Sequence, residues 1–457
     1  MNTPICDFVS QYNRKKPIRM HMPGHKGRDF LGFEHLDITE FDGADDLYHP
    51  TGIIAESEKN ASELFGCPTY YCTEGSSQCI RAMMYLLTLY AKKQGRKPVI
   101  AAGRNAHKTF ISAAALLDFE IMWIYPKEND SYLSCNITPD GLEDFLQNAE
   151  EKPVALYLTT PNYLGNIADI AGLSEVCRKH GILLVADNAH GAYLKFLEKS
   201  QHPMDLGADL CCDSAHKTLP VITGGAYLHI SDKLSDFSAK DVKNALGMFG
   251  STSPSYLILQ SLDFCNTYLE NYKESLLSFL PLIAGMKSRL EEKGFTFYGC
   301  EPMKLTFSAK DYGYLGTELA DILSENNIFC EFSDPDYLVL MPTPETKKEE
   351  LEKVEMVLAS IQKREPIKTT PPQFIKAEKA LTIREAALSP SETLPIEKCE
   401  GKILSAVTVG CPPAVPILVC GEKITKEVLD CFGYYGIEEC SVINSEFGMS
   451  FARRNIL

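Results

Sequence analysis

The sequence predicts an α/β protein built on a mostly parallel, doubly wound sheet, followed by a small α+β domain and a C-terminal domain. Between residues 55 and 290, short apolar runs typical of buried strands alternate with amphipathic runs typical of helices. A polar segment at 363–373 contains three prolines and indicates a linker. We therefore expect an N-terminal arm and large domain at 1–290, the small domain at 291–365, and the C-terminal domain at 371–457.

The elements of the large domain follow from their periodicity. Each predicted strand is a short apolar run, and each predicted helix shows the 3.6-residue repeat. Residues 1–50 are rich in Gly, Pro, His and Asp and are predicted to form an extended arm with one short helix. The predicted strands are 69–73, 99–102, 121–125, 155–159, 183–187, 209–212 and 225–230. The predicted helices include 77–92, 109–117, 141–147 and 171–180.

Composition narrows the classes of function. The chain has 457 residues and a formal net charge of −16, which argues against a general nucleic-acid binder. That charge is compatible with a cationic small-molecule substrate, although many soluble proteins are equally acidic. No apolar run approaches the roughly 20 residues needed to cross a bilayer, and the N-terminus has no secretory pattern. The 16 cysteines form no Cys-x-x-Cys pair, so we expect reduced thiols, no metal site and a cytoplasmic location.

The strongest chemical signal joins an aspartate to a lysine. Asp187 ends the apolar run 182–187, and Lys217 follows 30 positions later between a histidine and a threonine. Pyridoxal phosphate (PLP) chemistry needs a lysine to hold the aldehyde as a Schiff base and a carboxylate to keep the pyridine nitrogen protonated. Taken singly, Asp187 could be a helix cap and Lys217 a surface lysine. Their order, and the small and apolar residues around Lys217, favour a PLP site.

Two further segments fit that hypothesis. Gly75, Ser76 and Ser77 lie between a predicted strand and a predicted helix, where backbone amides and hydroxyls could bind a phosphate. A simple capped helix start is the alternative. His107 follows the predicted strand 99–102, so its imidazole could stack on the PLP ring, although an ordinary loop histidine would occupy the same place.

Four motifs are specific enough to compare with known families: Pro-Gly-His-Lys at 23–26, Asp-Asp-Leu-Tyr-His-Pro at 45–50, Ser-Ala-His-Lys-Thr-Leu-Pro at 214–220 and Ser-Thr-Ser-Pro at 251–254. They resemble those of the bacterial ornithine/lysine/arginine decarboxylases, which are PLP enzymes of the aspartate-aminotransferase fold (fold type I). The resemblance extends over essentially the whole chain. It corresponds to a short form without the N-terminal receiver-like domain of the long members.

This resemblance implies a role for each matching residue around the cofactor. Lys217 forms the Schiff base, Asp187 pairs with the pyridine nitrogen, His107 stacks on the ring and His190 lies beside it. The residues implied to surround the phosphate are Gly75, Ser76, Ser77, Ser214 and His216.

The resemblance also implies an assembly and a substrate. Thr252 or Ser253 would reach the cofactor phosphate of a neighbouring subunit, so that a homodimer or higher homo-oligomer shares its active sites. The substrate would be lysine, arginine or ornithine, converted to CO₂ and a diamine or agmatine. The candidate contacts to that substrate are Glu422, Asp45, Asp46 and His25.

Two departures from the family pattern concern the substrate end of the site. Ala414 replaces a glycine in a Pro-Pro-Gly-Val-Pro turn, and Cys420 stands where proline is usual. They leave open which basic amino acid is preferred. The Asp–Lys pair would also serve an aminotransferase or another PLP lyase, and a binding protein that has lost catalysis is a third possibility. The intact Lys217 speaks against the last of these.

Overall fold

The computed structural model describes residues 1–127, 132–411 and 415–444, so that Ala414 and its turn lie outside the described residues. The chain forms two compact units. The first comprises Met1–Lys97, Val154–Thr160 and Asp169–Phe279, and the second comprises Pro98–Pro153, Pro161–Ala168 and Leu280–Leu457. Among the described helices, none is long and apolar enough to span a membrane. The three-domain division and the cytoplasmic location stay predictions.

Helices and strands are numbered in chain order. The α-helices are α1 (Pro4–Arg14), α2 (Ile53–Phe65), α3 (Gly75–Lys93), α4 (Lys108–Leu117), α5 (Pro139–Gln147), α6 (Ile170–His180), α7 (Ala215–Thr218), α8 (Ala239–Gly247), α9 (Tyr256–Leu269), α10 (Tyr272–Glu292), α11 (Gly316–Glu325), α12 (Lys348–Ser360), α13 (Ile383–Ala387) and α14 (Lys426–Tyr434). Short 3₁₀ helices lie at Ala192–Phe196, Lys310–Tyr312 and Ile396–Lys398. The strands are β1 (Thr69–Cys72), β2 (Val99–Gly103), β3 (Glu120–Ile124), β4 (Ala155–Thr159), β5 (Leu183–Asp187), β6 (Leu210–Asp213), β7 (Ala226–Ile230), β8 (Phe297–Tyr298), β9 (Leu305–Ser308), β10 (Phe332–Ser333), β11 (Tyr337–Leu340), β12 (Ser391–Pro395), β13 (Thr408–Cys411), β14 (Val415–Val419) and β15 (Glu439–Ile443).

In the first unit, five strands follow the order β1-β7-β6-β5-β4. The strands β4, β5 and β6 are parallel, and β7 runs antiparallel to both β6 and β1. Both β5 and β6 are buried at every position, as expected for strands covered on both faces. The carboxyl ends of the parallel strands therefore meet at one edge, which brings the residues after β5 beside those after β6.

The second unit contains the parallel pair β2–β3 and an antiparallel sheet in the order β10-β11-β9-β8. Two further antiparallel pairs, β12–β15 and β13–β14, belong to the part of the chain after residue 390. Apolar side chains from β14 and α14, including Ile417, Leu418 and Phe432, form a buried cluster there. The predicted linker contains no helix or strand.

The seven predicted strands and the four predicted helices of the large domain are confirmed, most of them to within two residues at each end. The antiparallel direction of β7 was not predicted. The connection between β6 and β7, residues 214–225, contains only the four-residue helix α7. A parallel return usually needs a longer helix that crosses back over the sheet, and α7 is too short for that.

Candidate active site

Asp187 is a buried carboxylate, 2% exposed, whose partners are all neutral. Its Oδ2 accepts a hydrogen bond of 3.0 Å from the Tyr157 hydroxyl. Its Oδ1 accepts one of 3.2 Å from the Ala189 amide and a longer one of 3.7 Å from the Cys212 thiol. Burial and the nearby Asp187 raise the pKa values of Tyr157 and Cys212 well above the ordinary range, so both groups remain protonated donors. Among the described residues, no cationic side chain pairs with Asp187, which leaves a buried anion suited to a cationic ligand group.

Lys217 lies beside His190, as its position on the adjacent strand end predicts. Lys217 belongs to α7, directly after β6, whereas His190 follows β5 by three residues. The Lys217 Nζ is 3.0 Å from the His190 Nε2. His190 is 3% exposed, while Lys217 is half-buried. The parallel pairing of β5 with β6 therefore brings an amine, an imidazole and the Asp187 carboxylate to one sheet edge.

The residues predicted to hold a phosphate meet at the start of α3. Gly75 begins this helix with φ +71°, a left-handed conformation that favours glycine. Its amide donates to the Gly224 carbonyl at 2.7 Å, and the Ser214 hydroxyl donates to the Ser76 hydroxyl at 2.7 Å. No side chain of the described residues caps this helix. Serine hydroxyls therefore lie beside a helix N-terminus, where anions are favoured.

His216 and the turn before β7 complete this arrangement. The His216 amide and its Nδ1 both donate to the Gly225 carbonyl, at 3.2 and 2.9 Å. Gly224 has φ +102°, and a Cβ there would lie only 2.8 Å from the Thr73 carbonyl oxygen. This turn thus requires a glycine to bring His216 close to the start of α3.

Three of the predicted cofactor contacts, His107, Thr252 and Ser253, stay predictions. His107 belongs to the second unit, where its Nδ1 accepts from the Thr109 amide at 3.2 Å and caps α4. Its stacking on a cofactor ring stays a prediction. Thr252 and Ser253 are exposed, and the amide of the preceding Ser251 donates to the Glu74 carboxylate of the same chain, directly before the 75–77 turn.

The predicted substrate carboxylates Asp45 and Asp46 both have partners within the first unit. The Asp45 Oδ2 accepts from the amides of Gly52 and Ile54, at 2.8 and 2.9 Å, and so caps the start of α2. The Asp46 carboxylate accepts from the Tyr48 amide at 2.8 Å. Their contact with a substrate stays a prediction.

Glu422 and His25, the remaining substrate candidates, are each paired within their own unit. The Glu422 Oε2 lies 3.0 Å from Arg104 Nη2 and accepts from the Val419 amide at 2.8 Å, and both charged side chains are almost fully buried. The His25 Nε2 lies 3.1 Å from the Asp37 carboxylate. These pairings hold the side chains in place, and their substrate contacts stay predictions.

Sequence reasoning missed several groups around this site. Tyr157 and Cys212 lie inside buried strands, where an apolar run gives no sign of a contact with Asp187. Asp213 ends β6 and lies 3.0 Å from the imidazoles of both His202 and His229, which are separate in sequence. These contacts depend on which strands are adjacent and, for His202, on the path of the loop before β6.

Known proteins share both the sequence pattern and the fold. Residues 3–294 match the family described as Orn/Lys/Arg decarboxylase, major domain. The chain is 29% identical over 463 residues to an arginine decarboxylase of Halalkalibacterium halodurans, covering 93% of this chain and 92% of that protein. It is 28% identical over 460 residues to an arginine decarboxylase of Bacillus subtilis, with the same coverage of each chain. The crystal structure of the Francisella novicida lysine decarboxylase LdcF superposes with a TM-score of 0.78 at 16% identity, covering 97% of this chain and 81% of that one.

Proposed function

The chain belongs to the Orn/Lys/Arg decarboxylase family and has the fold of its PLP-dependent fold-type-I enzymes, and we propose that it decarboxylates a basic amino acid with PLP as its cofactor. Arginine is the first substrate to test, because two relatives that match along almost the whole chain are named arginine decarboxylases. The product would then be agmatine. The single observation that carries the proposal is the meeting of Asp187, His190 and Lys217 at one sheet edge.

The described residues fit PLP on the chemistry of their donor groups. Asp187 is a buried anion with neutral partners, so a protonated pyridine nitrogen would supply the missing positive charge. Lys217 would hold the aldehyde carbon. The residues that would hold the phosphate are Gly75, Ser76, Ser77, Ser214 and His216. When bound, PLP supplies the electron sink that amino-acid decarboxylation requires.

Asp187 and the residues that donate hydrogen bonds to it would keep the pyridine nitrogen of PLP protonated. The carboxylate would hold a proton at the pyridine nitrogen of bound PLP, because its negative charge has no other compensation in the described residues. Tyr157 and Cys212 donate to different oxygens, so they orient the carboxylate without neutralising it. A rigid, charged acceptor of this kind is preorganised for its task.

His190 lies close enough to Lys217 to exchange a proton with its amine. Their nitrogen atoms lie 3.0 Å apart, so one donates to the other, and a proton can pass between them. An amine must be uncharged to act as a nucleophile, and an adjacent imidazole can accept the proton that it loses.

A substrate panel tests this function. We expect arginine, lysine or ornithine to release CO₂ and the corresponding amine, with no keto acid formed. A keto-acid product would indicate an aminotransferase and contradict the proposal. Purified protein that shows no visible cofactor absorbance after incubation with PLP would point instead to a non-catalytic binding protein.

We also propose that the enzyme is a homodimer or a higher homo-oligomer. The segment after α1 exposes large apolar side chains, among them Ile18, Met20, Phe30 and Leu31, each at least 76% exposed. Such a run is unusual for a surface in contact with water only. A second copy of the chain would cover it.

Mixing two inactive variants tests whether the subunits share active sites. Lys217→Ala lacks the reactive amine, and a Thr252→Ala/Ser253→Ala double variant lacks the hydroxyls. If Thr252 and Ser253 serve the neighbouring subunit, the mixture regains activity, because one interface then combines both intact halves. If they serve their own chain, as the contact between Ser251 and Glu74 permits, the mixture stays inactive and the shared site is ruled out.

A further inference from the structure

A second carboxylate, Asp213, lies fully buried at the end of β6. Its Oδ2 is 3.0 Å from the Nε2 of both His202 and His229, and these three side chains have no exposed surface. Its Oδ1 accepts from the side-chain amide of Asn188 at 2.6 Å. We infer that Asp213 is a positioning residue of the active site, held as an anion by a permanently charged His229, and that it fixes the turns that carry Asp187 and Lys217.

The charge of His229 follows from the protons of its neighbour Thr69. The Thr69 hydroxyl lies 3.0 Å from the Cys67 carbonyl oxygen and 2.9 Å from the His229 Nδ1. A hydroxyl has one proton, and the carbonyl can only accept it. With the hydroxyl proton directed to the Cys67 carbonyl, the His229 Nδ1 donates to the Thr69 oxygen, while its Nε2 donates to the Asp213 carboxylate. An imidazole that donates from both nitrogens is an imidazolium.

His202, in contrast, is neutral. Its Nδ1 accepts a hydrogen bond from the Met204 amide at 3.4 Å, so that nitrogen has no proton. The proton is on Nε2, which donates to Asp213. The buried cluster thus contains one carboxylate and one imidazolium, and its charges cancel. The other groups facing His229 are the Cys67 thiol, the His202 ring and the rings of Phe65 and Tyr227.

Electrostatic effects agree with this proton assignment. Burial opposes the charged form of His229, but the facing Asp213 outweighs burial and places the pKa of His229 above its ordinary value. Burial alone would raise the pKa of Asp213, yet that pKa lies well below its usual range, because imidazole charge and the hydrogen bonds from both His202 and His229 favour the carboxylate. A buried ion pair with every donor and acceptor satisfied is stable, whereas removal of one partner leaves an uncompensated charge.

The cluster is connected to both halves of the active site. Asn188 is the residue after Asp187, and its side chain is held by Asp213 while its backbone amide donates to the Cys212 carbonyl at 2.9 Å. On the other side, Asp213 immediately precedes Ser214, whose hydroxyl contacts Ser76. Asp213 therefore fixes the spacing between the carboxylate that faces the cofactor nitrogen and the turn that presents Lys217.

A bound metal ion is the rival explanation of the same residues. The ligand atoms of His202, Cys211 and Asp213 all lie within 4.8 Å of one another. The two 3.0 Å contacts, however, match N–H···O hydrogen bonds whose protons are all accounted for. Elemental analysis of the purified protein is therefore expected to show no stoichiometric metal. One equivalent of metal that is lost in Asp213→Asn would overturn the assignment.

The charge of His229 can be measured without the cofactor. In protein labelled with ¹⁵N-histidine and free of PLP, we expect both ring nitrogens of His229 to be protonated from pH 6 to pH 8. His229→Gln identifies the signal by its disappearance. A neutral His229 at pH 7 would overturn the inference, and this result does not depend on the proposed function.

The positioning role rests on the proposed function and is tested with Asp213→Asn. We expect kcat to fall by about tenfold, as for other residues that orient a reactive group, with KM for the amino acid unchanged and a shifted pH titration of the cofactor absorbance. Asp209→Asn is the matched control, because Asp209 joins the same two strands at their opposite end, through the Leu184 amide at 2.8 Å.

The control should keep both kcat and the cofactor spectrum. An unchanged kcat and spectrum in Asp213→Asn, or the same changes in Asp209→Asn, would reduce the cluster to a structural role and overturn the inference. If wild-type protein binds no PLP, the proposed function is wrong. The charge of His229 is tested separately, by the NMR experiment.

Discussion

Asp187 and Asp213 end neighbouring parallel strands, and both carboxylates are almost completely buried. Their partners differ in one respect. Asp213 faces two imidazoles, one of them charged, whereas Asp187 faces a phenol, a thiol and a backbone amide. Asp213 is therefore compensated within the protein, whereas no described side chain compensates Asp187. A buried charge without compensation costs free energy, which a cationic ligand group can recover on binding.

The neighbours alone distinguish the positioning carboxylate, Asp213, from the carboxylate proposed to face the cofactor, Asp187. Nothing in the residue type or in the strand position distinguishes the two. The distinction predicts opposite effects of the same Asp→Asn substitution. Removal of the compensated charge should destabilise the protein, and removal of the uncompensated charge should mainly reduce activity.

The largest expected effect on turnover comes from Lys217→Ala. The substitution removes the amine that is proposed to hold the cofactor and that lies 3.0 Å from His190. We expect turnover to fall to background while the far-ultraviolet circular dichroism and the thermal midpoint stay close to wild type. A variant that retains a substantial part of the activity would remove Lys217 from the site.

Asp187→Asn is expected to lower turnover by about a hundredfold or more, the usual size for loss of one preorganised electrostatic contact. An amide cannot hold the pyridine nitrogen in its protonated form. The protein should still bind PLP, and without PLP its free energy of unfolding should equal or exceed that of wild type, because a buried charge has been removed. Denaturant unfolding and kcat measure the two effects, and a strongly destabilised variant with normal kcat would reverse the comparison.

Tyr157→Phe gives a smaller effect on the same carboxylate. The lost hydroxyl donates one neutral hydrogen bond to the Asp187 Oδ2, and such a bond contributes about 0.5–1.5 kcal/mol, or roughly 2- to 12-fold in rate. We expect kcat to fall within that range and KM to change little. Cys265→Ala, at a buried thiol on α9, is a control for loss of packing near the sheet. A larger fall in the control than in Tyr157→Phe would argue against a specific contact.

The smallest effect concerns acid stability. Because the pKa of folded Asp213 lies below its ordinary value of 3.8, its contribution is fully present above that value and is lost as the pH falls through the folded pKa. His229 stays charged over this range. Between pH 5 and pH 3, the free energy of unfolding of wild type should fall more steeply than that of an Asp213→Asn/His229→Gln double variant, which lacks both members of the pair, by up to about 1.4 kcal/mol per pH unit. Equal slopes would show that Asp213 is not paired.

The two carboxylates also show which parts of the site the sequence could predict and which it could not. Asp187 and Lys217 were predictable, because a carboxylate at a strand end and a lysine in an apolar segment are local signals. The alternation of apolar and amphipathic runs predicted the strands β1 to β7. The partners Tyr157, His202 and His229 were not predictable, because their contacts depend on which strands become neighbours and in which register.

Two other features escaped prediction for related reasons. The antiparallel return of β7 depends on the short connection through α7, and no periodicity in either strand reports its direction. The predicted substrate residues Asp45 and Glu422 both have partners within the protein. Asp45 binds the amides at the start of α2, a contact that depends on the exact backbone path. Glu422 pairs with Arg104, which lies far from it in sequence.

The most direct test of the central claim is to identify the lysine that binds the cofactor. The protein is loaded with PLP, reduced with borohydride to fix the covalent link, digested, and analysed by mass spectrometry. We expect one modified peptide, carrying the label on Lys217, with labelling abolished in Lys217→Ala. A label on a different lysine, or none in wild type, would contradict the assignment of this sheet edge as the active site.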